Sequence, residues 1–244
     1  MNKFRLLLVV ILGLLISVPQ TQGQNEKKKK KKNKIGINKL TRKEKAAGWE
    51  LLFDGKTADK WRNYKDDEVK GWDIEDGNLI ARGRGEGDII TKEQFENFEL
   101  YIEWKIGEKA NSGIFFNVVE GEKDGTVYAT GPEYQLLDDA GSPDTDGKLI
   151  SGANYDMHPA INGKVKPLTE YNSSRIIVNN GHVEHWLNGV KVVQYQLWTD
   201  QWKKDVQNSK WKNYPNYGKH KKGHLGIQDH GGEIYFRNIK VKRL

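Results

Sequence analysis

Residues 175–196 set the tightest limit on what this chain can fold into. Residues 175–179, 182–187 and 190–196 form three short runs separated by Asn180-Gly181 and Asn188-Gly189. Two-residue loops of that composition accept the positive φ that a tight hairpin demands, so the segment reads as a three-stranded antiparallel meander. A period of two stands upstream. Phe98, Leu100, Ile102 and Trp104 alternate with Glu99, Tyr101, Glu103 and Lys105, the pattern of a strand with one buried face. In 114–119 both faces are apolar, with Ile114, Phe116 and Val118 expected on one of them. Shorter runs at 49–53, 79–81, 89–91, 133–137, 224–228 and 234–241 bring the expected strands above ten, and helical periodicity is confined to a short piece within 199–210. Short antiparallel strands with Gly-rich turns predict an all-β chain, a jelly-roll β-sandwich of two antiparallel sheets.

Charge divides the chain before any domain does. The 244 residues carry a net +7, yet residues 1–23 hold +2 and residues 24–48 hold +9, which leaves −4 for residues 49–244. A groove that tracks phosphates needs a basic surface, so nucleic acid is not an expected partner of the acidic domain. Lys3 and Arg5 precede an apolar run from Leu6 to Val18, then Pro19 and Gly23. That run is too short to span a bilayer and suits an export signal cleaved after about Gly23. The expected location is the periplasm or the exterior, in soluble form. Residues 24–48 lack aromatics and are expected to be a disordered, Lys-rich linker. The run from Lys27 to Lys32 is either a solvated spacer or a weak contact for an anionic membrane. All eight tryptophans lie in 49–244, which forms one β-sandwich domain, and the chain has no cysteine. Disulfides, thiolate metal sites and cysteine nucleophiles are thereby excluded. Its composition leaves the oligomeric state open.

Three segments place polar side chains where a plain sandwich strand has no need of them. They are Asn111-Ser112-Gly113, then Gly131 to Asp138, where alternation puts Glu133 and Gln135 on one face and Tyr134 and Leu136 on the other, and Gly226 to Gly232 with the following Arg237 and Asn238. One by one these are turn formers or solvated strand residues; together they supply an acid, an imidazole, a guanidinium and amides, the inventory of a sugar-binding cleft with acid/base groups. Other sites are weaker. His182 and His185 point to opposite faces of one strand and cannot chelate together. The aspartate-rich turn at Asp144 and Asp146 lacks full calcium-loop spacing. His220 and His224 read as surface residues, and His158 as a residue bordering the cleft. No metal or cofactor is expected.

The motifs Trp49-Glu50-Leu51-Leu52-Phe53-Asp54-Gly55-Lys56, Asn111-Ser112-Gly113, Gly131-Pro132-Glu133-Tyr134-Gln135-Leu136-Leu137-Asp138, Gly152-Ala153-Asn154-Tyr155-Asp156 and Gly226-Ile227-Gln228-Asp229-His230-Gly231 occur in order along 49–244. In this combination the chain resembles the 3-keto-disaccharide hydrolase family. The resemblance implies a concanavalin-A-like sandwich and cleavage of glycosides whose sugar is oxidised at C3, so that an oligosaccharide or glycoside is the expected partner. Tyr171-Asn172 stands where the family commonly has Trp-Asn, and Asn154 where it has an apolar residue; either departure bears on sugar stacking or pocket size.

A C3 ketone acidifies the C2 hydrogen and allows the C1 substituent to leave by elimination, with water adding afterwards. Such a reaction needs a base near C2, donors to the C3 oxyanion and an acid at the leaving oxygen. The candidates are His230 or Glu133 for proton transfer, and Arg237 with Gln228 for the oxyanion. Asn111, Gln135, Asp138, Tyr155, Asp156 and Asp229 would bind or orient hydroxyls. A non-catalytic, lectin-like module of the cell envelope is the alternative, because the fold alone decides no function.

Overall fold

The computed structural model describes residues 36–121, 123, 125–141 and 146–244. Residues 1–23, read as an export signal, the Lys27 to Lys32 run and most of the aspartate-rich turn fall outside the described residues. The first elements among the described residues are helix α1 (Arg42–Ala46) and strands β1 (Trp49–Leu51), β2 (Trp61–Asn63), β3 (Trp72–Glu75) and β4 (Asn78–Ala81). Next come β5 (Ile89–Phe95), β6 (Phe98–Ile106), β7 (Asn111–Val118) and β8 (Glu133–Leu137). The meander β9 (Asn172–Asn179), β10 (His182–Leu187) and β11 (Val190–Gln196) precedes α2 (Asp200–Gln207), and β12 (Gly223–Ile227) and β13 (Ile234–Arg243) complete the domain. Every strand pairing is antiparallel.

Two sheets result among the described residues. The larger runs β11-β10-β9-β6-β13-β4-β3 with β1 beside β13, and the smaller runs β2-β5-β12-β7-β8. This is the expected all-β jelly-roll sandwich. Both Asn-Gly pairs take positive φ, 49° and 77° at Asn180 and Gly181 and 50° and 84° at Asn188 and Gly189, the backbone that a tight hairpin requires. Strand β6 sends Phe98, Leu100, Ile102, Trp104 and Ile106 into the core between the sheets, where they meet Ile114 and Phe116 of β7 and Tyr134 and Leu136 of β8. Trp104 satisfies its indole N–H on Ser174 Oγ at 2.8 Å.

In β7 the strict alternation fails at Asn117, whose φ of 54° breaks the phase. Val118 therefore leaves the inter-sheet core and joins Ile90, Phe115 and Val127 in a second cluster, with Tyr64 and Tyr128 packed against it. Phe115 faces away from Ile114 and Phe116, so this cluster lies on the outer side of the smaller sheet.

Order begins earlier than composition implied. Thr41 caps α1 in a reciprocal capping box with Glu44, and Asn38 exchanges hydrogen bonds with Asn238 on β13. Glu44 reaches Lys240 of the same strand. These contacts hold residues 36–48 to the sandwich, although nothing in the local sequence offers much apolar surface for burial.

Candidate active site

Glu133 and Gln135 lie on the face of β8 opposite Tyr134 and Leu136, the outer face of the smaller sheet, and both are nearly fully buried. Register brings Gly113 of β7 opposite Gln135. A Cβ at Gly113 would stand 2.4 Å from Glu133 Oε1, so glycine is what leaves room for the carboxyl group. On the other flank of β7, Gln228 N donates to Gly113 O at 3.0 Å and Ser112 Oγ donates to Gln228 O at 2.7 Å. Asn111 N donates to Gly231 O at 2.8 Å. The segment that carries Gln228 and His230 is thus laced to the strand that carries Asn111.

A wall closes the site from the side. Ser209 caps a short 3-10 helix (Lys210–Asn213), Lys210 N donates to Asp156 Oδ2 at 2.8 Å and Trp211 Nε1 donates to Tyr155 O at 2.9 Å. The Lys210 ammonium lies 3.8 Å from the Tyr155 ring centroid and 4.4 Å from that of Trp211. Behind it stands a column of parallel rings. Trp211 stacks on Tyr217 at 4.5 Å, Tyr217 on Trp202 at 6.0 Å, Trp202 on Tyr195 at 5.5 Å and Tyr195 on His158 at 4.7 Å. The column fixes the wall to α2 and to the edge strand of the meander.

Together these elements enclose a cleft of about 500 Å³ lined by Asn111, Glu133, Gln135, Gln228, His230 and Lys210, with Tyr128, Tyr155, Trp211, Asn213 and Tyr214 completing it. A roomier depression of about 730 Å³ lined by Glu108, Lys109, Asp138, Asp139 and residues 164–168 sets acids beside lysines but has no imidazole or side-chain amide among them.

Burial pushes the Glu133 carboxyl up to about 8; Asp88 adds to the rise and Lys210 opposes it. Burial also holds the Lys210 ammonium below its usual range, against the attraction of Glu133 and Asp156. Among the described residues Glu133 takes part in no ion pair, and Gln228 Oε1 and Asp229 Oδ1 are buried without a hydrogen-bond partner. Heavy-atom contacts link Glu133, Gln135, Asn111 and His230 in one string: Glu133 Oε1 to the Gln135 amide at 2.9 Å, Gln135 to Asn111 at 3.1 Å and Asn111 to His230 Nδ1 at 2.9 Å.

Of the residues singled out from sequence, the structure brings Asn111, Glu133, Gln135, Tyr155, Gln228 and His230 into this cleft. Four are elsewhere or behind it. Arg237 follows the inward-facing Phe236 on β13, so it lies on the outer face of the larger sheet, where it donates to Glu103 at 2.8 Å and covers the Tyr171 ring at 3.5 Å. It belongs to the far side of the sandwich, and Tyr171 with it. Asp138 shares the parity of Tyr134 and Leu136, and its carboxylate accepts from Lys109 N at 2.9 Å to brace the turn before β7. Asp156 seats Lys210 from behind the wall. Asp229 accepts from Glu86 N at 3.0 Å while its own N–H donates to Asp88 at 3.1 Å, so it fastens the loop before β5; burial raises the Asp88 carboxyl to about 6.

Asn154 packs behind the cleft against His158 at 2.9 Å, and His158 itself is bound to Asp205 and stacked in the ring column. His224 is buried, with Nδ1 donating to Thr91 O at 2.6 Å, and is no surface residue. His185 is fully buried too; desolvation holds its imidazole down to about 3, neutral, with Nδ1 donating to Gly152 O. His182 points the other way and is partly exposed. Sequence reasoning missed Lys210, Trp211 and Tyr128. Among the described residues no cluster of His, Asp and Glu is placed to hold a metal ion.

The model of the 3-keto-alpha-glucoside-1,2-lyase-like domain matches residues 48–242. The chain belongs to that family. It is 39% identical over 230 residues to the 3-keto-disaccharide hydrolase of Bacteroides thetaiotaomicron, covering 82% of this chain and 79% of that protein. Two solved structures from Parabacteroides distasonis, both assigned to the glycosyl hydrolases, align with it. One is 40% identical with a TM-score of 0.81, covering 86% of this chain and all of the other; the second is 28% identical with a TM-score of 0.61, covering 80% and 99%. Family membership makes the chain a carbohydrate-active enzyme.

Proposed function

We propose that this enzyme cleaves the glycosidic bond of 3-keto-glycosides, 3-keto-disaccharides among them, by taking the C2 proton and eliminating the C1 substituent, after which water adds for net hydrolysis. The observation that carries the reading is Glu133, a carboxyl held up to about 8 at the floor of a cleft, without an ion pair among the described residues. A proton next to a ketone is weakly acidic, and a carboxylate stripped of water is a stronger base than a solvated one. Ordinary glycosidases instead deploy two carboxyls across the scissile bond. Here the neighbouring Asp88 and Asp229 are occupied by backbone amides.

Glu133 is assigned as the base at C2. Lys210 takes the place first given to Arg237: its charge, opposite Glu133 and thinly hydrated, stabilises the enolate oxygen at C3, with Gln228 as a second contact. His230, at the mouth and hydrogen-bonded through Nδ1, presents Nε2 to the leaving oxygen. The faces of Tyr155 and Trp211 offer stacking surface to sugar rings.

The enzyme is assigned to the cell exterior or periplasm on the pattern of residues 1–23. Incubation with a 3-keto-disaccharide and its unoxidised parent tests the activity. Release of the C1 substituent from the keto form alone is expected. Equal release from both overturns the elimination mechanism, and binding without turnover favours the lectin-like alternative.

A further inference from the structure

What holds Lys210 is its backbone, not its charge. Its N–H donates to Asp156 Oδ2 at 2.8 Å, Ser209 caps its short helix through Trp211 N, and Trp211 is pinned on Tyr217 at 4.5 Å. Among the described residues the ammonium itself is in no ion pair and no hydrogen bond, whereas Lys203, on α2, binds Asp200 at 2.9 Å. It rests on the faces of Tyr155 and Trp211, 3.8 Å and 4.4 Å from the ring centroids. Ring faces attract a cation weakly and need no proton from it, so the nitrogen can lose one without stranding a buried partner. Burial at that end already lowers its hold on the proton, against the pull of Glu133 and Asp156. Lys210 is nonetheless exposed as a residue, so a carbonyl carbon can reach it. A four-carbon arm on a fixed base, ending in a thinly solvated nitrogen, is the nucleophile that Schiff-base chemistry uses.

We propose that Lys210 forms a covalent imine with the C3 ketone of the substrate, so that the C2 proton is lost from an iminium and not from the ketone itself. The proposal rests on the reading above that the substrate carries that ketone. There the lysine meets the C3 oxygen as a cation; here the encounter goes on to a bond. An iminium acidifies the neighbouring C–H more than a ketone does, because the electron pair released at C2 neutralises a positive nitrogen in place of creating an oxyanion.

The steps balance within the cleft. The ionised Glu133 takes one proton from the Lys210 ammonium, the freed nitrogen pair bonds to C3, and the carbonyl π pair moves onto oxygen. The nitrogen passes a second proton to that oxygen. Glu133 returns the first proton to the new hydroxyl, which leaves as water while the nitrogen pair closes C3=N. Ammonium plus ketone thus become iminium plus water, and Glu133 is a carboxylate again. It next takes the C2 proton; the C2–H pair becomes C2=C3 and the C=N π pair returns to nitrogen. That pair then re-forms C=N, the C2=C3 pair shifts to C1=C2, and the C1–O pair departs with the leaving oxygen, which takes a proton from His230. Water adds at C1 and returns a proton to His230, and Glu133 gives its proton back to C2. A second water hydrolyses the iminium and restores the ketone and the lysine.

Reductive trapping tests the bond directly. The full chain is incubated with 3-keto-1,5-anhydroglucitol, a ketone with no substituent to expel at C1, and with cyanoborohydride, whose hydride fixes an iminium as a secondary amine. Peptide mass mapping should find the mass of the ketone less one oxygen on Lys210, at least about tenfold above any other lysine. Lys210→Arg keeps the charge but supplies no amine that can become an imine. It should lose the label and about a hundredfold of kcat on a 3-keto-disaccharide, where a purely electrostatic lysine would tolerate the exchange. Turnover by the wild type with no preferred label at Lys210, or a loss below about tenfold in Lys210→Arg, overturns the imine and leaves the proposed activity standing. Label at Lys210 without turnover upholds the imine and removes the activity. Absence of both overturns both.

Discussion

On the outer face of the larger sheet Glu103 meets Arg237 at 2.8 Å, Glu99 meets Arg175 at 2.6 Å and Lys242 at 3.1 Å, and Arg82 binds Asp73, Glu75 and Glu233. On the outer face of the smaller sheet Glu133 is more deeply buried than any of these acids, yet among the described residues it has no ion pair, and Gln228 and Asp229 keep buried oxygens without partners. Both faces are rich in polar side chains, but only one has closed its own accounts. Polar groups that satisfy each other stabilise a fold; polar groups left short of partners in a concave, dry place are held in readiness for a ligand.

Exchanging Glu133 breaks the contrast most sharply. Glu133→Gln should lower kcat by about a thousandfold, as loss of a general base does. It should also stabilise the protein at alkaline pH. The folded-state pKa of Glu133 stands at about 8 against an ordinary 4.5, so the folded form binds its proton more tightly than the unfolded chain. Its stabilising contribution is fully present below about pH 4.5 and is lost as pH rises through about 8, by an amount on the order of a few kcal/mol. Urea unfolding at acid and alkaline pH should show this loss in wild type and not in the variant. The same titration governs catalysis with the opposite sign, so kcat/KM should rise with pH through about 8 as the base ionises.

Removal of the facing charge comes next. Lys210→Met should lower kcat/KM by about a hundredfold, measured on a 3-keto-disaccharide under steady-state conditions. Gly113→Ala should have a smaller effect, about tenfold in kcat with a stability loss of about 1–3 kcal/mol, because the new methyl displaces the Glu133 carboxyl; thermal melts and initial rates check both. Arg237→Met, on the satisfied face, should leave turnover within about twofold and cost about 1 kcal/mol of stability by chemical denaturation. A large loss of turnover in Arg237→Met would erase the distinction between the faces.

Much of the sandwich was legible because its signals are local. The Asn-Gly pairs and the alternation in 98–105 name their own geometry, and the positive φ at Asn117 is the sort of local break that period counting passes over. For the site, strand parity puts Glu133 and Gln135 on one face, as the structure does, and the same count puts Asp138 on the phase of Tyr134, a distinction that its assignment to hydroxyl binding overlooked. Parity fails for Arg237 at another level. It states that Arg237 opposes Phe236, but not which outer face of which sheet holds the cleft, since that depends on how β13 and β8 are assigned to different sheets. Lys210 was invisible for a further reason. It sits among Lys203, Lys204 and Lys212, and nothing in the sequence marks the one lysine whose backbone is tied to Asp156 and whose ammonium rests on two rings.

The ring column behind the wall has a bearing on how such an enzyme diversifies. Trp211 is locked by Tyr217, Trp202, Tyr195 and His158, and Tyr214 packs on it at 5.7 Å, whereas Asn213, in the same turn, is exposed. Rim side chains can therefore be exchanged by mutation while the floor supplied by β7, β8 and the residues after β12 stays in place. Under the proposed reaction, leaving-group preference would then rest on the rim and proton transfer on the floor, so new aglycones could be accepted without altering the chemistry.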